Sequence, residues 1–164
     1  MATRGQILIP IAITAVIIGI VGVLTIPTDS KLAEVKFPRG TIKVDNVTLD
    51  VQIAETDAQR ARGLMFQDQM PYNQGMIFVM DNEQVIPIWM LNMQFPLDII
   101  WFDSNGNVVH IAKYVQPCKS ALETVTCTVD NGGGKLAKYV LETTAGFVSK
   151  YNVTASSKLQ IISI

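Results

Sequence analysis

The chain has 164 residues, of which 49% are hydrophobic, and a formal net charge of -1, which suits one compact domain with an apolar appendage. Thirteen Lys and Arg are balanced by 14 Asp and Glu without a basic block. Nothing in that balance offers the positive footprint that nucleic-acid phosphates require, so nucleic acid is excluded as an expected partner.

Taken in chain order, residues 1–6 form a short flank ahead of an uncharged run, ILIPIAITAVIIGIVGVLTI, over 7–26. As a helix this run is about 30 Å long, the thickness of the hydrocarbon core of a bilayer. It exceeds the usual apolar core of a signal peptide and lacks a small-residue cleavage site, so an uncleaved transmembrane anchor is expected. Pro10 falls in the first turn and Pro27 stops the helix. Arg4 on one side faces Lys31, Lys36 and Arg39 on the other, so the flanking charges do not set the orientation.

Residues 27–40 read as a linker punctuated by Pro and Gly, and 41–164 as the folded domain. Val47, Leu49, Val51 and Ile53 alternate with polar residues, predicting a strand with one dry face. Thr56 and Gln59 have capping-box spacing, and Gly63 can end the short helix that follows. GMIFVM, IPIWML and LDIIWFD read as strands from 75, 86 and 97; the last is apolar on both faces and belongs inside a sheet, and Pro87 marks an edge or bulge. DSNGN at 103–107 turns the chain into VVHIAKYV, and DNGGG at 130–134 into KLAKYVLET. Thr144 is placed to cap a helix through AGFVSKY, and KLQIISI closes the chain as a strand. Many short strands with two brief helices predict a mainly β fold, a sandwich or barrel.

Cys118 and Cys127 are an even pair in one loop, and Asn46 and Asn152 head glycosylation sequons. These features favour a domain outside the cytoplasm at the cell membrane, with a disulfide contributing about 2 to 3 kcal/mol by the chain-entropy model.

Arg60-Ala-Arg-Gly63-Leu64-Met65, Gly75-Met76-Ile-Phe78, Trp89-Met90, Asn92, and Pro96-Leu97-Asp98-Ile99-Ile100 with the Gly106 turn occur in order, followed by Pro117-Cys118 and YVLETTAG. This series resembles the family known as domain of unknown function 192 over nearly the whole ectodomain. The resemblance implies a jelly-roll-like β fold, often behind a signal peptide or anchor, and carries no activity. The family commonly has Trp-Met-Lys-Asn-Thr where Trp89-Met90-Leu91-Asn92-Met93 stands, and an Arg where Gln67 stands.

Three readings of the chemistry follow. The leading one is a binding or accessory module of the envelope, taking a small ligand or an envelope protein, with Arg60, Trp89, Asn92 and Asp98 as its candidate ligand-binding residues. Phe95, Trp101 and Tyr114 are further aromatic candidates, which core packing explains as well. A second is copper held by thioethers; among the clustered methionines Met70, Met80 and Met93 stand apart from the family motifs, whereas Met65, Met76 and Met90 fall within them as core fillers. A third is an enzyme built around Arg60 and Asp98, although no nucleophile elbow, zinc-binding helix motif or P-loop is present and no catalytic residue is assigned. Buried Asp98 needs a partner, from Arg60, Asn92, Lys113 or backbone amides. The lone His110 reads as a structural group.

Overall fold

A computed structural model describes residues 35–118 and 130–164. The flank, the anchor at 7–26, linker residues 27–34 and Cys127 lie outside the described residues. Among the described residues, no helix is long and apolar enough to cross a membrane.

The compact unit begins at Val35. Its strands are β1 (Arg39–Val44), β2 (Val47–Ala54), β3 (Gln74–Gln84), β4 (Leu97–Phe102), β5 (Val108–Val115), β6 (Ala137–Thr144) and β7 (Leu159–Ser163), with helices α1 (Asp57–Arg62) and α2 (Phe147–Lys150). The fold is mainly β, as expected. The seven strands form one mixed sheet in the order β5-β4-β6-β3-β2-β1-β7 rather than two stacked sheets. Only the β2–β3 pair is parallel, because the chain between them runs through α1 back to the same end of the sheet before pairing. The two edges approach each other: Asn107, just before β5, bridges Lys158, just before β7, and Leu159 N–H donates to the Gly106 carbonyl at 2.8 Å.

Alternation along each strand gives the sheet two apolar faces. One face carries Ile42, Leu49, Val51, Ile77, Ile100, Phe102 and Leu141, and α2 adds Phe147 and Val148 to it. On the other, Met76, Phe78, Met80, Ile99, Trp101 and Val140 are covered by the chain around Leu64, Met70 and Ile86 to Phe95. Strand β4 is buried along its whole length between β5 and β6, the interior position its two-sided apolarity predicts.

Three local expectations are corrected. Residues 41–44, assigned only to the start of the domain, belong to β1, which pairs with both β2 and β7. The segment IPIWML is extended but builds no ladder; it makes single bridges, Ile88 with Asp130 and Leu91 with Cys118. Its even residues Ile86, Ile88 and Met90 are buried while Val85, Pro87 and Trp89 are exposed, so the alternation serves a covering segment, and Pro87 has no N–H to offer a neighbour.

The third correction concerns Thr144. It ends β6 and donates its hydroxyl to the Met70 carbonyl at 2.6 Å instead of capping a helix. Gly146, at φ 97°, is the N-cap of α2 and has no side chain to cap with. A carboxylate from another strand does that work.

Candidate functional site

That carboxylate is Asp98, fully buried at the start of β4. Its Oδ2 accepts from the N–H groups of Gly146 at 3.0 Å and Val148 at 2.8 Å, and its Oδ1 from Tyr114 N–H at 2.9 Å. Backbone amides therefore satisfy the acid, and they tie α2 and β5 to β4. Arg60 is not its partner. The Arg60 guanidinium donates to the carbonyls of Glu55 and Val79 and pairs with Asp57 at 2.6 Å. Asn92 and Lys113 do not bond to it either: Asn92 sits in a turn at φ 57°, its N–H donating to the Cys118 carbonyl and its own carbonyl accepting from Phe66 N–H, and Lys113 is exposed.

A pocket of about 90 Å³ lies on the opposite face of the sheet. Residues 60–65 form one side, Phe78 and Met80 of β3 the base, and Ile86 to Trp89 with Met93 the far side. Helix α1 reaches it because the predicted capping box forms: Thr56 Oγ1 accepts from Gln59 N–H, and the Gln59 side chain accepts from Thr56 N–H. Gly63, at φ 48°, ends the helix as expected and turns Leu64 inward. Arg60 and Arg62 diverge, Arg60 toward β3 and Arg62 over the Phe66 ring at 5.1 Å, yet both border the pocket.

The acid of this pocket is Glu142. On β6 it stands between Met76 of β3 and Ile99 of β4, both fully buried, so water is excluded from two sides. Only 4% of the residue is exposed, and its Oε2 has no hydrogen-bond partner among the described residues. Burial alone pushes its pKa up to about 8, so the carboxyl is mostly protonated at neutral pH and can act as a hydrogen-bond donor. A buried carboxyl without a partner costs about 1 to 3 kcal/mol relative to a satisfied one. The arrangement offers a small guest a neutral acid, apolar walls and a border carrying two arginines, of which Arg60 is already paired with Asp57.

Of the four predicted ligand-binding residues, the structure brings Arg60 and Trp89 to this pocket and leaves Asn92 and Asp98 outside it. An active site joining Arg60 to Asp98 is not formed. Phe95 and Trp101 belong to the core, while Tyr114 is exposed. Of the methionines singled out, Met80 and Met93 line the pocket together with Met65, whereas Met70 is core. Among the described residues, no group of three His, Cys, Asp or Glu is placed to hold a metal. His110 packs edge-on against Trp101, with Nε2 3.3 Å from Asp130. Cys118 is buried beside the same core. Asn46 and Asn152 are exposed on turns.

Glu142 escaped the sequence reading. Along the chain it looks like an ordinary solvated position, because its own face of β6 also carries Lys138 and Thr144.

Two solved structures resemble this domain. One, from Sinorhizobium meliloti 1021 and described as a candidate transcription regulator, is 26% identical, with a TM-score of 0.67 over 79% of this chain and 98% of that one. The other, a protein of unknown function from Novosphingobium aromaticivorans DSM 12444, is 25% identical, with a TM-score of 0.63 over 74% of this chain and 84% of that one. No curated protein matches the sequence. The model of DUF192, described as "Uncharacterized ACR", matches residues 40–161, and the chain belongs to this family.

Proposed function

We propose that this chain is a small-ligand-binding module of the cell envelope, with residues 7–26 anchoring it in the membrane, the β domain outside the cytoplasm, and the pocket over Glu142 as the binding site. One observation carries the pocket: Glu142 lines it, and its Oε2 is buried without a hydrogen-bond partner among the described residues. Native proteins satisfy buried polar atoms, so an unpaired one facing a cavity is the place where a guest completes the hydrogen bonding. Trp89, 47% exposed beside the opening, gives that guest an aromatic edge. The regulator description of the Sinorhizobium neighbour does not extend to DNA binding here, because the balanced charge supplies no phosphate footprint.

The setting rests on the uncharged 20-residue run from Ile7 to Ile26 and on the pairing proposed for Cys118 and Cys127, which would belong to an oxidising compartment. The test of the site is a fragment screen on the full-length protein in detergent, carrying ¹³C-methyl methionine. Binding fragments should move the Met80 and Met93 signals and leave Met76 in place. Fragments that bind only elsewhere, or none that bind, would refute the site.

Copper is a second reading, favoured by one observation: the thioethers of Met65, Met80 and Met93 line the same pocket as the Glu142 carboxyl. Cu(I) titrated under reducing conditions should then bind the intact chain and fail to bind after Met80→Leu and Met93→Leu. Equal uptake by both forms removes this reading.

A further inference from the structure

We infer that the pocket takes a small organic anion with an apolar body, such as a short carboxylate, which accepts a hydrogen bond from Glu142 while Arg62 balances its charge. This inference rests on the reading of the pocket as a binding site and adds the charge class of the ligand.

The ionisable groups bordering the cavity are Arg60, Arg62 and Glu142. The Glu142 neighbours from the sheet, Met76 on β3 and Ile99 on β4, carry no charge, nor do Phe78 and Met80 at the base or Ile86 to Met93 on the far side. If a guanidinium were paired with Glu142, the acid would be ionised and the cavity nearly balanced. Arg60 is instead turned to Asp57 and to two carbonyls, and Glu142 Oε2 is left unbonded. Asp57 already balances Arg60, so among the described residues the uncompensated charge beside the protonated acid is that of Arg62, and the pocket is net positive while offering a hydrogen. Such a site attracts an acceptor bearing negative charge and disfavours an ammonium group. Met80, Ile86 and Met93 leave apolar surface for the remainder of the guest.

The proton supplies the signature. Binding an anion requires the protonated acid, which is mostly present below the Glu142 pKa of about 8 and lost above it. Apparent affinity scales with the fraction of competent protein, so moving from about pH 6 to about pH 9.5 should weaken binding by about 30-fold. An ammonium ligand would show the opposite trend.

Three four-carbon probes of similar bulk decide the matter: butyrate, butan-1-ol and butylammonium, each titrated into the full-length protein while the Met80 and Met93 methyl signals are followed. Butyrate is expected to bind about tenfold more tightly than butylammonium near pH 6 and to lose affinity at the higher pH. Glu142→Gln, which keeps an N–H donor in place of the acid, should retain butyrate and abolish the pH dependence. Butylammonium binding more tightly than butyrate, or butanol binding equally well, overturns the anion inference and leaves the pocket standing as a binding site. If no probe moves either signal in the wild type, both the anion inference and the pocket reading fall.

Discussion

Asp98 and Glu142 are buried acids on neighbouring strands, and they face opposite sides of the sheet. In the β4–β6 register Asp98 stands across from Thr143 and Ile99 across from Glu142, so the acids are one residue out of step. A one-residue offset reverses the face in a strand. Asp98 thereby reaches the amides of α2 and β5, and Glu142 the pocket beside α1. The same residue class thus serves as a structural clamp on one face and as an unsatisfied group on the other.

Glu142 should make the domain less stable as pH rises. Its folded pKa, about 8, lies above the ordinary value of 4.5, so between these two the native state binds the proton that the unfolded state has released. Below that window the group contributes no pH dependence; stability then falls through it and levels off above about pH 8. The full loss is on the order of 3 to 5 kcal/mol. Urea midpoints at several pH values should show the decline in the wild type, and Glu142→Gln should flatten that component. An unchanged slope in the variant would assign the dependence to another group.

Asp98→Asn should cost about 2 to 4 kcal/mol, because one carbonyl oxygen cannot replace a carboxylate that accepts from three amides, and the new NH₂ faces donors. Chemical denaturation measures the loss directly. A change below about 0.5 kcal/mol would show that α2 is held without this clamp.

Gly106 should not tolerate alanine. Its φ is 78°, and an added Cβ would run into the Leu159 carbonyl at the place where the two edges of the sheet meet. Gly106→Ala is expected to lose about 1 to 3 kcal/mol and to speed amide exchange at Leu159, whose N–H bonds to Gly106. Wild-type protection at Leu159 in the variant would exclude strain at this junction.

Thr56→Ala removes the side-chain acceptor of the α1 capping box and should cost about 1 kcal/mol. Because α1 carries Arg60 and Arg62 to the pocket, the Met80 and Met93 methyl signals should shift as well. A loss of stability without such shifts would mean that the cap supports the helix but not the site.

Reduction should destabilise the domain by about 2 to 3 kcal/mol if Cys118 and Cys127 are joined, and alkylation of freshly opened cells should leave both thiols unmodified. Protease added to sealed cells should digest the β domain. Protection of the domain from protease, or ready alkylation of the cysteines, would place it on the other side of the membrane.

Elements governed by local physics were legible along the chain. Period-two alternation marked β2, apolarity on both faces placed β4 in the interior, and capping-box spacing with a terminal glycine delimited α1. Each of these depends on side chains a few residues apart. Features that depend on which distant strand lies alongside emerged with the assembled fold: the single mixed sheet, the use of IPIWML as a cover rather than a strand, and the capping of α2 by Asp98 from 48 residues away. The site divides in the same way. Arg60 and Trp89 could be picked out as polar and aromatic groups within recognisable motifs, whereas Glu142 became visible only when Met76 and Ile99 closed over it from adjoining strands. Desolvation is a property of that three-strand neighbourhood, and no local pattern along the chain encodes it.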